Sequence, residues 1–158
     1  TDYQRDLSVS FNKMGDLYRA LGEGLEAREA YQRSLDIALG LAASEPDRTD
    51  YQRDLSVSFN KMGGLFLALE QYDEALEAFG EDLAIAERLA SSEPDRADYQ
   101  VDLAISLQMV GKLQGQDGLA HLQRALSILE TLDEQGQLAP ADQPGLEAVR
   151  EAISQLED

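Results

Sequence analysis

The 158-residue chain has no cysteine and no tryptophan, a single histidine, four prolines and three lysines. Without cysteine there is neither a disulfide framework nor thiol chemistry, which suits the cytoplasmic setting we expect. One histidine, His121, with no thiol beside it cannot build a usual zinc site, so no metal and no other cofactor is expected. No apolar run approaches the roughly 18–20 residues that cross a bilayer, and no secretory leader is visible. Basic residues are also scarce, 13 against 31 acidic, for a formal net charge of −18. That balance opposes nucleic acid, whose phosphates are met by clustered Lys and Arg, and it opposes anionic membranes. Its plain role is solubility, with a basic partner as the sharper alternative. Alternating Val/Ile/Thr runs are missing too, so strands are not expected.

What the chain does have is repetition. TDYQRDLSVSFNKMG occurs at 1–15 and again at 49–63, and a looser copy, ADYQVDLAISLQMVG, runs over 97–111. The offset is 48 residues each time, and self-similarity at a fixed period of this size marks a repeat architecture. Units are expected at 1–48, 49–96 and 97–136, followed by a capping helix at about 142–157, all within one domain spanning 1–158. The chain starts in phase with its own repeat, so it is expected to be a piece of a longer protein.

Within each unit the apolar residues recur at steps of three and four, as an amphipathic helix requires. Tyr3, Leu7, Phe11, Met14, Tyr18 and Leu21 form one stripe, broken at Gly22-Glu23-Gly24; Leu25, Tyr31, Leu35, Ala38 and Ala42 form the next. Ser44-Glu45-Pro46-Asp47 ends that helix, because the residue before proline is pushed out of the helical region. Asp47 is the expected N-cap of the following helix, with Asp50 in a capping-box place. Unit two repeats the plan with Tyr51, Leu55, Phe59, Met62, Phe66 and Leu69, then Leu76, Phe79, Leu83, Ile85 and Leu89. Unit three is about five residues shorter; its turn is Gly115–Gly118, its second helix runs from about Leu119 to Glu134, and Gly136 follows as a C′ glycine. A last amphipathic helix carries Leu146, Val149, Ile153 and Leu156, with Pro144 in its first turn. Gly15, Gly63 and Gly111 fall inside helices, where glycine costs about 1 kcal/mol against alanine. Close approach of the neighbouring helix, with Ala27 and Ala75 opposite and Phe11, Tyr31, Phe59 and Phe79 around, is the expected compensation.

Met62-Gly63, Phe66, Tyr72-Asp73-Glu74-Ala75, Phe79, Leu83 and Ile85 fall at the spacing of the tetratricopeptide repeat, and the chain resembles that family over about residues 1–135. Unit one matches through Phe11, Met14-Gly15, Tyr18, Gly22, Ala27, Tyr31, Leu35 and Ile37. Unit three keeps Gly111, Ala125, Leu126 and Ile128 but is read as losing the small residue of its second helix. The family's usual unit is 34 residues; the 48-residue unit is similar to long variants in bacterial multidomain proteins, which sit beside NTPase or caspase-like effector domains. The resemblance implies an all-α, right-handed superhelical solenoid of three antiparallel helix pairs plus the capping helix. Its first helices would line a concave surface.

The three lysines, Lys13, Lys61 and Lys112, all lie on first helices. Asn12-Lys13 recurs as Asn60-Lys61, and Arg5 recurs as Arg53. Stacked identical helices would align these into polar ladders. Arg5, Asn12, Lys13, Arg19, Arg53, Asn60, Lys61 and Lys112 are therefore the expected groove for a peptide with acidic groups; the plainer alternative is solvated residues, Lys13 pairing locally with Asp16. No phosphate loop, nucleophile elbow or calcium loop is present, and the carboxylates spread over helix surfaces. The expected function is thus a non-catalytic protein–protein interaction scaffold for a protein or peptide partner, with no nucleic acid and no membrane. The alternative is an assembly element, self-associating through the N-terminal repeat face or docking to another domain of the same protein.

Overall fold

The computed structural model describes residues 2–157; Thr1 and Asp158, the ends of the expected domain, lie outside the described residues. Among those described there is no strand. Seven α-helices follow one another: α1 (Asp2–Ala20), α2 (Gly24–Ser44), α3 (Thr49–Ala68), α4 (Tyr72–Ser92), α5 (Ala97–Gln114), α6 (Leu119–Glu134) and α7 (Gln143–Glu157). Short 3-10 turns occupy Gly115–Gly118 and Pro140–Asp142. The chain divides into two compact units, residues 1–85 and 86–158, the division falling inside α4. No helix among the described residues is long and apolar enough to cross a membrane.

In residues 1–85, α2 packs against both α1 and α3. α1 ends in a Schellman turn: the Glu23 N–H donates to the Tyr18 carbonyl at 2.9 Å and the Gly22 N–H to that of Arg19 at 3.1 Å. Gly22 sits at φ +76, the left-handed conformation this turn needs. α3 ends the same way, with Gln71 N–H to the Phe66 carbonyl at 2.8 Å. There the left-handed position is held by Glu70, at φ +60.

The hairpins close where the sequence places glycine inside a helix, but the group opposite is an aromatic ring, not an alanine. A Cβ on Gly15 would stand 2.4 Å from the Tyr31 ring, and one on Gly63 2.7 Å from the ring of Phe79. Ala27 and Ala75 are fully buried, and the atoms nearest the glycines belong to the rings. Phe11 and Phe59 are only half-buried. A second difference concerns the expected cap at Asp47. α3 starts at Thr49 with Arg48 in the N-cap position and no side-chain cap. Asp50 does not close a capping box either. It accepts a two-pronged bond from Arg48 at 2.8 and 2.6 Å, and the Arg48 guanidinium lies 4.1 Å from the Tyr51 ring centre. Fixing arginine against both a carboxylate and a ring pins the corner.

In residues 86–158, α6 packs against α5 and α7. The same corner recurs before α5: Arg96 forks to Asp98 at 3.1 and 2.6 Å and stacks 3.8 Å from the Tyr99 ring centre. Gly111 meets Leu122, at 2.8 Å from a Cβ, and Gly118, whose own Cβ would stand 2.0 Å from the Gly111 carbonyl oxygen. The small residue read as lost from the third unit is therefore present as Gly118, one residue before α6. It was hidden by the shorter spacing. α6 ends at the expected Gly136, φ +68, with Gln137 N–H to the Leu132 carbonyl at 2.8 Å. α7 buries Leu146, Val149 and Ile153 as expected, while Leu156 is half-buried.

Glu70 carries a steric cost that Gly22 does not, of roughly 1 kcal/mol for a residue with a Cβ in the left-handed region. Glu70→Gly is expected to stabilise the protein by about 1 kcal/mol in urea unfolding; an unchanged or lowered midpoint would contradict this account of the turn.

Candidate functional site

α1 and α3 have nearly the same sequence and lie in contact. Among the eight expected groove residues, the following four have partners inside residues 1–85, three of them across the α1–α3 seam, and Arg19 also interacts with Tyr31. Arg5 Nε donates to Asp54 Oδ2 at 2.5 Å and Nη2 to Oδ1 at 3.3 Å, and Nη1 lies 3.4 Å from Asp50. Asn12 Nδ2 donates to Ser58 Oγ at 3.4 Å, while its buried Oδ1 has no partner. Lys61 Nζ donates to both carboxylate oxygens of Asp16 at 2.8 Å. The fourth, Asn60, turns to α4, with Nδ2 donating to Asp82 Oδ2 at 3.1 Å.

The others are placed differently. Arg19 is exposed on the last turn of α1, its Nη1 3.0 Å from where a Gly64 Cβ would stand. Lys13 is exposed, and the local partner weighed for it, Asp16, is engaged by Lys61 and by Tyr31 instead. Arg53 is half-buried on α3, and Lys112 is exposed on α5. Between α1 and α3 the contacts that join helix to helix run from Arg5 to Asp54, from Asn12 to Ser58 and from Lys61 to Asp16.

Asp16 is the centre of the densest group. The Tyr31 hydroxyl donates to its Oδ1 at 2.7 Å from a fully buried ring. Burial works to raise the Asp16 pKa, but the hydrogen bonds from Lys61 and Tyr31 outweigh it and hold the carboxyl below its ordinary range. Burial, then the bond to Asp16, pushes the Tyr31 phenol up to about 12. At the corner, the fork from Arg48 pushes Asp50 down to about 2, with Arg5 adding to it. A carboxylate so held is saturated with donors and is a poor base.

Deeper in the hairpins lies a second polar set. Ser8 Oγ donates to the Ser34 carbonyl at 3.1 Å and lies 2.9 Å from Ser34 Oγ, which in turn is 3.3 Å from Ser58 Oγ. One period on, Ser56 donates to the buried carboxylate of Asp82, which Asn60 also meets. His121, on α6 in residues 86–158, is half-buried, with Nδ1 lacking a hydrogen-bond partner. Among the described residues, no three acidic or histidine side chains converge as metal ligands.

Sequence reasoning missed Asp16, Tyr31, Asp54 and Asp82. For Asp82 a signal existed: it replaces Ser34 at one period's distance, inside an otherwise apolar stripe. No family model matches the chain, and the search of curated proteins returned no match.

The raised Tyr31 pKa fixes a sign. Its contribution to stability is complete below the unfolded value near pH 10 and is lost as pH rises through about 12. The stability difference between wild type and Tyr31→Phe, from urea unfolding at pH 8, 10, 11 and 12, is therefore expected to shrink between pH 10 and 12; a difference constant across that window would contradict the raised Tyr31 pKa that burial and the Asp16 bond produce.

Proposed function

We propose that the protein is a non-catalytic interaction scaffold of the tetratricopeptide-repeat kind. In this reading the helix pairs form a right-handed solenoid ended by α7, and a peptide or protein segment with acidic groups lies along its first helices. The observation that carries it is the α1–α3 seam: two helices of nearly the same sequence stand side by side, bonded through side chains that, Asp16 aside, recur at the repeat period. Neighbour-to-neighbour packing of that kind builds a rigid, extended surface. These contacts also sort seven of the eight candidates, Arg53 aside. Arg5, Asn12 and Asn60 set helix spacing, whereas Lys13 and Arg19, both exposed, and Lys61, in part exposed, keep donors for a ligand. Lys112 is the corresponding candidate of the third hairpin.

The test uses the full chain and fluorescein-labelled twelve-residue peptides that are acidic, neutral or basic. Acidic peptides are expected to bind, with affinity falling as salt rises. Lys13→Glu with Arg19→Glu is expected to weaken that binding about tenfold or more, and Lys13→Glu alone to weaken it without lowering Tm, since that side chain is exposed. Binding that favours neutral or basic peptides, or is indifferent to the double reversal, would overturn the reading.

A further inference from the structure

The repeat supplies an internal control for which surfaces of α1 are complete. Residues facing the partner helix of their own hairpin are buried in both copies: Ser8 and Ser56, Gly15 and Gly63. A second face behaves otherwise. Tyr51 is 1% exposed and its twin Tyr3 75%; Met62 is 4% and Met14 43%; Leu65 is 1% and Leu17 58%. Ser58 is fully buried, with Ser34 of α2 against it, while its twin Ser10 is exposed. The sequence is the same at these positions, except that the residue before the last leucine is Asp16 in one copy and Gly64 in the other. What differs is that α3 has a hairpin packed against it and this face of α1 does not. Apolar side chains expected to be core in α1 are therefore bare, and only Ser8 and Gly15 are buried in that helix.

We infer that this face of α1 is a docking surface for one further copy of the 1–48 hairpin, set as α1–α2 is set on α3. It shares Lys13 with the acidic-peptide surface proposed above, since Lys61, the twin of Lys13, is held by Asp16 of the hairpin before it. Two features specify the occupant. Its second helix needs a serine where Ser34 stands, to reach Ser10 as Ser34 of α2 reaches Ser58. Its first helix needs an arginine where Arg5 stands. Asp50 and Asp54, which Arg5 holds at 3.4 and 2.5 Å, have Asp2 and Asp6 as twins, both exposed on α1. The joint is also defined: Pro46-Asp47-Arg48 leads α2 into Thr49, and the same three residues would lead the added helix into Thr1. Because a repeat array gains both intrinsic and interface stability from each copy, an occupant that fits extends one cooperative unit.

The experiment joins a second copy of residues 1–48 ahead of Thr1 of the full chain. A single thermal transition is expected, with Tm raised by about 5 °C or more relative to the 158-residue chain, together with slowed amide exchange through α1. Arg5→Glu in the added copy alone is expected to cancel much of the rise, and adding Asp2→Lys and Asp6→Lys to the original α1 to restore it. Two separate transitions, an unchanged Tm, or a rise indifferent to the charge swap would overturn the proposal. So would concentration-dependent dimerisation of the unmodified chain that buries Tyr3 and Leu17, since the occupant would then be a second molecule packed by other rules.

Discussion

An aromatic ring laid over a helical glycine sets how closely the two helices of each hairpin approach in residues 1–85. With Gly15 under Tyr31 and Gly63 under Phe79, no side chain separates backbone from ring. The helix forfeits about 1 kcal/mol of propensity at each glycine, and burying a large ring more than offsets it. Gly111 under Leu122 follows the same rule in residues 86–158 with a smaller cover, and there Gly118 brings backbone directly onto backbone. The hydroxyl of Tyr31 extends the contact outward to Asp16, and Asp16 to Lys61 on the next copy. One packing position thus connects the inside of a hairpin to its neighbour.

The buried polar positions show why near-copies need not be interchangeable. Ser8 pairs with Ser34; one period later Ser56 meets Asp82; the corresponding positions in the third copy are Ala104 and Ala125, both fully buried. Hydroxyl with hydroxyl, hydroxyl with carboxylate, methyl with methyl: each pair changes as a pair. A buried polar atom without a partner costs more than the bond it would make, so mixing members of different copies would strand one of them.

Helix order, the turns at Gly22 and Gly136, the extent of α6 and the glycine close approaches were legible, because each rests on local chemistry: apolar period, left-handed glycine, proline as a stop. The partner of each glycine was not legible, since period places residues on a face without saying which one faces them. Nor was the corner. Asp47 looks like a cap from spacing alone, yet Arg48 takes Asp50 for a fork and Tyr51 for a stacking surface, and geometry with two simultaneous partners wins. The groove candidates were picked by type and position, and three of them bond across α1 and α3, each to a residue that was not a candidate. What spacing could not show was that acidic residues of the neighbouring copy occupy Arg5 and Lys61. Burial is likewise a property of neighbours: the same tyrosine is core in α3 and surface in α1.

The claim that ring over glycine governs the hairpin is tested most directly by a double-mutant cycle on Gly15 and Tyr31, read by urea unfolding. In the wild-type background Gly15→Ala should destabilise, although alanine is the better helix former by about 1 kcal/mol. In a Tyr31→Ala background, where the ring that the added methyl would strike is gone, the same substitution should stabilise. A Gly15→Ala effect of the same sign and size in both backgrounds would contradict the account.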